Sequence, residues 1–600
     1  MKDAVADQVN KDFDLGPLPA WDLSDLYPSS DGPELSGDLQ QAEADAKAFQ
    51  ARFQGKLKSL SGVGLAEAIS FYEEIDERLS RLLSYGQLLY SADMSDAEVG
   101  RFFQSLREDT TRISSLLLFF PLELNALEDE ELERKLKSKE LRRYAPWIAD
   151  QRVMRPHQLS EEQERLLHEK YVTGRGAWNR LFDETMAGLR FPFRGKDLTS
   201  AELLNLLSDA DGGKRKEAAK SFGKVLGDNE RIFALITNTL AKDKAIEDSW
   251  RGFSRPVSPR NLANLVEDDV VDALVDAVRE SYGALSHRYY RLKAGWFASE
   301  SIPYWDRNAP LPEAAEEKIS WLEAEQTVLR AYRDFSPKLA DVGESFFKND
   351  WIDAAVRPGK APGAFAHPTV PSAHPYLLLN YQGKLRDVMT LAHELGHGCH
   401  QVLAGGQGHL LSQTPLTLAE TASVFGEMLT FRSLLKRQED PKTRKIMLAG
   451  KVEDMLNTVV RQIAFHSFET KLHEERRQGE LLPERIGEIW LETQKESLGP
   501  GIRFEEEYRH YWSYIPHFIH VPFYVYAYAF GDCLVNSLYA VYEDSEEGFA
   551  ERYLELLTSG GSKRHKALLA PFGLDASDPE FWKRGLSLIS RFIDELAELD

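Results

Sequence analysis

The sequence predicts a mostly α-helical protein with a small amount of β-structure. Through long parts of the chain, apolar residues recur every three or four positions, which is the spacing of one helix face. Breaks between these segments fall at glycine or proline, as at Gly174 and Gly212-Gly213. Short apolar runs typical of strands occur at Ile302 to Trp305 and at Pro375 to Tyr381. No repeat of fixed period is evident, so a regular solenoid is not expected.

Residues 1–33 are expected to form an irregular arm, and residues 34–250 a helical lobe. The clearest helix of this lobe is Leu65 to Tyr90, whose apolar residues lie near helical spacing. Val99 to Leu127 and Ser160 to Thr173 show the same pattern. No motif of this half indicates chemistry, so we interpret it as a helical scaffold.

Residues 251–600 are predicted to form the domain that carries the chemistry. Helices are expected from Val266 to Phe297 and from Glu313 to Phe335, with the short strand near Ile302 between them. Pro375 to Tyr381 is a second short strand, which ends just before the most informative helix of the chain. An extended peptide can add to the edge of such a strand, unless the fold covers both edges.

Composition narrows the classes of partner and compartment. With 600 residues, of which 42% are hydrophobic, the chain can bury a large core. Its formal net charge of −23 argues against nucleic acid and anionic membranes as partners. Two cysteines, Cys399 and Cys533, are too few for a disulfide framework and predict a reducing compartment, the cytoplasm. Met1 to Leu15 lacks the apolar core of a signal peptide, and Ile113 to Leu124 is too short to span a membrane.

The most informative stretch contains the pattern H-E-x-x-H, from His393 to His397. On a helix this spacing places both imidazoles on one face, where they can hold a single Zn²⁺. Glu394 follows the first histidine and lies where a general base can take a proton from a metal-bound water. Asp387 falls in the first turn of the predicted helix, which starts at Lys384, and suits its dipole. The alternative is a core helix with two histidines bonded to buried partners, but a buried glutamate beside them is costly without a metal.

A catalytic zinc usually has three protein ligands and one open position. The metzincin pattern requires glycine at 400 and histidine at 403, whereas this chain has His400 and Leu403. Glu420 is the first carboxylate after the motif and is the candidate third ligand, although Thr417 to Glu420 also fits a helix capping box. Glu427 lies seven residues further on the same helix face, and we predict that it bonds a ligand histidine. His400 is assigned a supporting role.

Peptide hydrolysis at such a site also needs a hydrogen-bond donor for the oxyanion of the tetrahedral intermediate. Candidates lie between Tyr511 and Phe530: His517, His520, Tyr524, Tyr526 and Tyr528. Pro522 predicts that a helix begins there. Tyr524 and Tyr528 would then share one helix face, Tyr526 would point elsewhere, and His517 would lie on the loop before the helix.

Longer motifs extend this pattern over nearly the whole chain: Trp21 to Tyr27, Trp305 to Pro312, Pro371 to Gly383, Arg386 to His397, Ala419 to Ser423 and Pro516 to Tyr526. With these motifs the chain resembles the oligoendopeptidase F branch of the thimet oligopeptidase-like (M3) zinc metallopeptidases. The resemblance implies a two-lobed, mostly helical fold with one zinc ion deep in a channel between the lobes. It implies that short unstructured peptides are cleaved and that folded proteins are excluded.

The resemblance also assigns roles by motif. It implies that His393, His397 and Glu420 bind zinc, that Glu394 is the general base, and that His517 and Tyr524 stabilise the oxyanion. We therefore expect a cytoplasmic zinc metalloendopeptidase that acts on short peptides.

Two other functions stay open at this point. A carboxypeptidase or dipeptidyl carboxypeptidase on a similar fold would need a cation for the substrate carboxylate, and the sequence identifies none. A non-enzymatic scaffold or peptide-binding protein with a structural metal would not need Glu394.

Overall fold

The computed structural model describes residues 15–311, 318–544 and 547–599. Most of these residues are helical and the strands are short, so the predicted mostly α class is confirmed. The first 14 residues of the predicted arm lie outside the described residues. None of the described helices is long and apolar enough to cross a membrane.

The chain divides into two compact units, each assembled from three separate segments. The first unit contains the described residues of Met1–Val153, Glu316–Arg437 and Ser545–Phe572. The second contains those of Met154–Ala315, Gln438–Asp544 and Gly573–Asp600. The domain boundaries expected near residues 33 and 250 divide the chain along the sequence, and they stay a prediction.

The first unit is built from helices and one small sheet. Its α-helices are Pro33–Phe53, Gly62–Ala92, Ala97–Ser114, Phe119–Ala126, Asp129–Lys135, Lys139–Arg142, Ala145–Arg152, Trp321–Phe335, Pro337–Lys348, Leu385–Ala404, His409–Ser412, Leu416–Ala419, Thr421–Arg437, Phe549–Thr558 and His565–Leu569. Its strands are Ile352–Ala355, Phe365–His367 and Tyr376–Tyr381. Short 3₁₀ helices lie at Leu57–Ser59, Ser115–Leu117, Gly405–Gln407, Gly560–Ser562 and Ala570–Phe572.

The second unit is also mainly helical. Its α-helices are Glu161–Tyr171, Arg175–Gly188, Ser200–Asn205, Gly212–Asp228, Glu230–Trp250, Ser258–Ala263, Asp268–Ser281, Ser286–Trp296, Pro441–Thr458, Val460–Gln478, Pro483–Leu498, His517–His520, Tyr526–Asp544 and Pro579–Glu598. Two strand pairs are antiparallel Phe191–Phe193 with Lys196–Leu198, and parallel Ile302–Pro303 with Ile502–Arg503. The 3₁₀ helices are Arg155–His157, Leu206–Ser208, Tyr304–Asp306 and Glu506–Tyr514.

Helices form in the segments where the apolar spacing predicts them, but some predicted single helices are divided: Val99 to Leu127 forms the α-helices Ala97–Ser114 and Phe119–Ala126 with a 3₁₀ turn between them. The predicted helix from Leu65 to Tyr90 is confirmed as Gly62–Ala92, and the Ser61 hydroxyl caps it by accepting from Gly64 N–H. The helix expected from Val266 to Phe297 is wrong as a single element, because the chain turns between Ser281 and Ser286 and makes two helices. Of the helix expected from residue 313, residues 313–317 lie outside the described residues, and Trp321–Phe335 is helical.

The small sheet of the first unit changes the expectation about peptide binding. Tyr376–Tyr381 is its central strand, parallel to Ile352–Ala355 on one side and antiparallel to Phe365–His367 on the other. Both edges of this strand are therefore covered, so a peptide cannot add to it. Phe365–His367 is an outer strand of the sheet and lies beside the helix that carries the histidine motif, Leu385–Ala404.

Candidate metal centre

The helix Leu385–Ala404, which we call the motif helix, begins where the sequence predicts. The carboxylate of Asp387 accepts hydrogen bonds from the N–H groups of Gln382 and Lys384, at 2.8 and 2.9 Å. These bonds satisfy backbone donors just before the first turn, and the negative charge complements the helix dipole. The motif helix therefore starts in a defined position relative to the preceding strand.

Two glycines allow other elements to approach the motif helix closely. A Cβ atom at Gly396 would lie 2.4 Å from the carbonyl oxygen of Ala422, in the helix Thr421–Arg437, which we call the second site helix. A Cβ atom at Gly398 would lie 2.6 Å from the ring of Phe346. Any larger residue at either position would have to displace these neighbours. The close approach at Gly396 brings the start of the second site helix, with Glu420 just before it, up to the histidines.

The three predicted ligands converge on one point. Oε2 of Glu420 lies 3.4 Å from Nε2 of His393 and 3.4 Å from Nε2 of His397. The ligand atoms of all three residues lie within 4.8 Å of one another. A tetrahedral zinc with ligands at 2.0–2.1 Å would separate neighbouring ligand atoms by about 3.3 Å. The donor set and its spacing therefore fit a zinc ion bound by two imidazoles and one carboxylate.

The alternative role of Glu420 as a helix cap is not observed. The short helix Leu416–Ala419 has Pro415 at its N-cap and ends before Glu420, so Glu420 is not the third residue of a helix capped by Thr417. Its carboxylate instead accepts a hydrogen bond from the hydroxyl of Ser423 at 2.7 Å. That bond directs the carboxylate toward the two imidazoles.

The neighbours of the ligands differ in what they contact. Oε2 of Glu427 lies 3.3 Å from Nδ1 of His393. The imidazole of His393 therefore has a carboxylate beside each nitrogen, Glu427 at Nδ1 and Glu420 at Nε2. His400 is buried, and its Nε2 lies 3.3 Å from the hydroxyl of Thr414. Among the described residues His400 is not part of the group of converging ligand atoms.

The acidic groups of the site have opposite pKa shifts. Burial raises the pKa of Glu394, more than the neighbouring imidazoles lower it. Burial also acts to raise the pKa of Glu420, but the hydrogen bond with His397 and the charges of both imidazoles outweigh it and lower the pKa to about 2. Burial acts to lower the pKa of His393, and the hydrogen bond and charges of the surrounding carboxylates, Glu427 first among them, raise it overall. The site thus holds an ionised ligand carboxylate beside a carboxyl that takes up a proton more readily.

One contact of Glu394 was missed by sequence reasoning. The backbone of Ala366, in the outer strand of the sheet, is near enough to the Glu394 carboxylate to favour its ionised form, although burial outweighs this effect and raises the pKa of Glu394. The carbonyl of the same residue accepts from the side chain of Gln401 at 3.4 Å. Phe365–His367 is a three-residue strand after a proline- and glycine-rich stretch, so its sequence has too few residues to show alternation.

The predicted oxyanion donors lie in the second unit. A helix does not begin at Pro522 as predicted; it begins at Tyr526, because Phe523 has φ +60° and interrupts helical geometry. Nε2 of His517 lies 3.2 Å from the hydroxyl of Tyr528, and the rings of Tyr524 and Tyr528 are 5.4 Å apart. We call His517, Tyr524 and Tyr528 the His–Tyr group.

Two of the candidates are engaged elsewhere. Tyr526 is fully buried, and its hydroxyl accepts a hydrogen bond from the side-chain amide of Asn264 at 2.8 Å. The sequence-based expectation that Tyr526 points away from the other two tyrosines is consistent with this position. Nε2 of His520 lies 2.8 Å from a carboxylate oxygen of Asp183.

Family models match two parts of the chain. Residues 206–588 match the model described as peptidase family M3. Residues 123–191 match the model described as oligopeptidase F. The first match contains the motif helix, the second site helix and the His–Tyr group, so it spans every predicted site residue.

Individual proteins resemble the chain over almost its full length. Oligopeptidase PepF of Bacillus subtilis is 27% identical over 597 residues, covering 96% of this chain and 87% of the relative. An oligoendopeptidase F homolog of Borreliella burgdorferi is 26% identical, covering 96% of this chain and 98% of the relative. The crystal structure of oligoendopeptidase-F from Enterococcus faecium has 23% identity and a TM-score of 0.69, covering 94% of this chain and 97% of its own. A crystal structure from Chlamydophila abortus has 22% identity and a TM-score of 0.86, covering 97% and 98% respectively.

Proposed function

The chain is a metallo-oligopeptidase that belongs to peptidase family M3, and we propose that it hydrolyses internal bonds of short unstructured peptides with a single zinc ion. The observation that carries the proposal is the position of Glu420 Oε2, 3.4 Å from Nε2 of both His393 and His397. Glu394, which follows the ligand His393 in sequence, supplies a general base, and a purely structural metal site does not need one. A cytoplasmic location is part of the proposal, supported by two cysteines that are both buried free thiols.

The proposed mechanism assigns a separate task to each residue. His393, His397 and Glu420 would hold the ion, which when bound would lower the pKa of a water molecule and polarise the substrate carbonyl. Glu394 takes a proton from the attacking water and delivers it to the leaving amine. Its raised pKa favours the uptake of that proton near neutral pH. The backbone of Ala366 acts in the opposite direction, toward the ionised form, but more weakly than burial.

Two neighbouring residues are proposed to support the ligands. Glu427, 3.3 Å from Nδ1 of His393, would hold the proton of the ring on Nδ1 and leave Nε2 as the donor atom for the ion. His400, buried beside Thr414, supports the motif helix rather than binding the ion.

His517 and Tyr524 are proposed to donate hydrogen bonds to the oxyanion, as the resemblance implies. Burial lowers the pKa of His517, with a further contribution from His520, so the imidazole is neutral at physiological pH and can donate through one nitrogen. Tyr528, whose hydroxyl lies 3.2 Å from His517, would orient that ring.

Metal removal tests the proposal directly. A quenched fluorescent peptide of about ten residues is incubated with the protein before and after complete chelation, and again after zinc is restored. We expect cleavage to stop with chelation and to return with zinc. Undiminished cleavage by protein that is shown to be free of metal would refute the proposal.

The role of Glu394 is tested by Glu394→Gln. The amide keeps the size of the side chain but cannot accept a proton, so we expect kcat to fall by about 10²–10⁴-fold. Zinc content and thermal midpoint should stay close to wild type. Glu325→Gln is a matched control, because burial also raises the pKa of this partly buried carboxyl in the same unit. Near-normal turnover by Glu394→Gln would contradict the assigned role.

Product analysis separates an endopeptidase from a carboxypeptidase or dipeptidyl carboxypeptidase. Peptides with free and with amidated C-termini are digested, and the products are identified by mass spectrometry. We expect internal cleavage of both forms. Cleavage restricted to one or two residues from a free C-terminus would favour the exopeptidase alternative.

A further inference from the structure

The motif from Trp305 to Pro312 has no part in the mechanism above, yet its first residues, Trp305, Arg307 and Asn308, line a cavity in the second unit. The cavity has a volume of about 200 Å³. Aromatic side chains make up much of its lining, among them Trp305, Tyr508 and Tyr514. Two guanidinium groups, of Arg307 and Arg461, also line it. Among the described residues that line this cavity there is no aspartate or glutamate.

The carboxylates next to these arginines are already paired with other cations. Asp306, adjacent to Arg307 in sequence, accepts a hydrogen bond from Nε of Arg215 at 2.8 Å. Glu453 accepts hydrogen bonds from the ammonium group of Lys293 and from the hydroxyl of Tyr289. Among the described residues neither carboxylate forms a hydrogen bond or an ion pair with a guanidinium of the cavity, and the charge of Glu453 acts on Arg307 without such a contact.

The two guanidinium groups themselves have few partners. Arg461 donates a hydrogen bond to the hydroxyl of Tyr514 at 3.0 Å and lies 5.0 Å from the centre of the Phe465 ring, which are both neutral groups. Within the described part of the chain, the guanidinium of Arg307 makes no hydrogen bond and no ion pair. Two positive charges thus face one aromatic cavity in a protein whose formal net charge is −23.

Partly buried charges without partners are unfavourable, and a guanidinium matches a carboxylate through two parallel hydrogen bonds. We propose that this cavity binds a carboxylate group, supplied either by the C-terminus of a short peptide or by a free organic acid. The aromatic walls would contact the apolar part that carries the carboxylate. For the peptide source the inference rests on the proposed peptidase function, but binding can be measured without turnover.

The test uses the full-length, zinc-loaded Glu394→Gln protein, so that peptides are bound without being cleaved. Calorimetric titrations compare one hexapeptide with a free C-terminus, the same hexapeptide amidated, and phenylacetate as a free organic acid. We expect the free acid to bind about 10- to 100-fold more tightly than the amide, since hydrogen bonds between charged groups are lost in the amide. If phenylacetate binds and displaces the acid peptide, a free organic acid is a sufficient ligand; if only the acid peptide binds, the ligand is the C-terminus.

Substitutions of the two arginines test whether the preference for the free acid over the amide arises in this cavity. Arg307→Gln and Arg461→Gln, each added to Glu394→Gln, should remove most of the preference for the acid. Arg307→Lys keeps the charge without the paired donors and should retain part of the preference. Arg503→Gln is the control, because Arg503 is exposed in the same unit and, among the described residues, its side chain bonds to Ser301 alone. Circular dichroism and thermal midpoints establish that each variant is folded.

Two results would overturn the inference. One is equal affinity for the acid and the amide together with no binding of phenylacetate. The other is an unchanged acid preference in folded Arg307→Gln and Arg461→Gln. If wild-type protein cleaves the peptide while either result is obtained, the carboxylate site is wrong and the peptidase proposal stands.

Discussion

Two carboxyl groups, a partly buried one in the first unit and a fully buried one in the second, differ in the charge that faces them. Glu420 of the first unit meets two imidazoles and the hydroxyl of Ser423, and its pKa falls to about 2 although burial opposes ionisation. Glu469 of the second unit is only 1% exposed, and burial raises its pKa to about 8. The ionisation of a carboxyl therefore depends on the donors and charges that face it as well as on how deeply it is buried.

The two groups consequently suit different tasks. An ionised carboxylate such as Glu420 can bind a cation at neutral pH. One oxygen of Glu469 accepts from the N–H of Phe523 at 2.8 Å, and its other oxygen has no partner among the described residues. Phe523, at φ +60°, forms the turn that leads from the His517 segment into the helix of Tyr528. Glu469 thus stabilises the backbone turn at Phe523, whereas Glu420 is suited to bind a metal ion.

The largest effect is expected when Glu420, the carboxylate ligand of the proposed zinc site in the first unit, is replaced. Glu420→Gln replaces a charged ligand with a neutral amide, so zinc affinity should fall by more than about 100-fold, the upper range for losing an outer partner of a ligand. Peptidase activity should fall with it. Competition with a zinc indicator measures the affinity. Glu469→Gln is the matched change in the second unit and should bind zinc as wild type does. If Glu420→Gln still holds one zinc ion tightly, Glu420 is not a zinc ligand.

The His–Tyr group of the second unit is tested by single hydroxyl deletions. Tyr524→Phe should lower kcat by about 100-fold with little change in KM, because an oxyanion donor acts mainly in the transition state. Tyr526→Phe should leave kcat near wild type and cost about 1 kcal/mol of stability, since its hydroxyl bonds Asn264. Steady-state kinetics and thermal unfolding separate the two outcomes. A kcat loss in Tyr526→Phe that exceeds the loss in Tyr524→Phe contradicts the assignment.

Substitution of Gly396 tests whether close packing of the motif helix against the second site helix positions Glu420. Gly396→Ala places a Cβ 2.4 Å from the Ala422 oxygen, so it should cost about 1–3 kcal/mol and weaken zinc binding by moving the second site helix. Gly450→Ala is the control in a helix of the second unit, where a Cβ meets nothing within 4 Å. That change should stabilise the protein by about 0.5–1 kcal/mol. Equal effects of the two substitutions on stability and zinc affinity would show that close packing does not position Glu420.

The last expected effect concerns how stability depends on pH, and it arises from Glu469. Its folded pKa of about 8 exceeds the unfolded value near 4.3, so between these values the folded state binds a proton that the unfolded state releases. Its contribution is greatest below pH 4.3 and is lost as pH rises to about 8, by about 1.4 kcal/mol per pH unit.

The free energy of unfolding from denaturant titrations at several pH values measures this slope. Glu469→Gln lacks it, so the stability of the variant relative to wild type should rise from pH 5 to 8. Glu475→Gln on the same helix is the control, because the hydrogen bond with Arg485 lowers the pKa of Glu475. A pH-independent difference between Glu469→Gln and wild type would mean that Glu469 is ionised in the folded protein at neutral pH.

Sequence alone determined the features that depend on local geometry. The four-residue spacing of His393 and His397 places both rings on one face of any helix, and Asp387 marks where that helix begins. The strand near Pro375, the helix Gly62–Ala92 and the mostly α class follow from equally local periodicity.

Only the tertiary structure decided between alternatives that local patterns leave equal. Glu420 faces the histidines because Gly396 lets a second helix come close, whereas its own sequence fits a cap as well as a ligand. The strand Tyr376–Tyr381 is covered on both edges by strands from other parts of the chain. Arg307 lines a cavity whose described lining residues, many of them distant in sequence, include no aspartate or glutamate. Such contacts depend on how separate elements pack, and the apolar spacing of one element does not specify which neighbour will cover it.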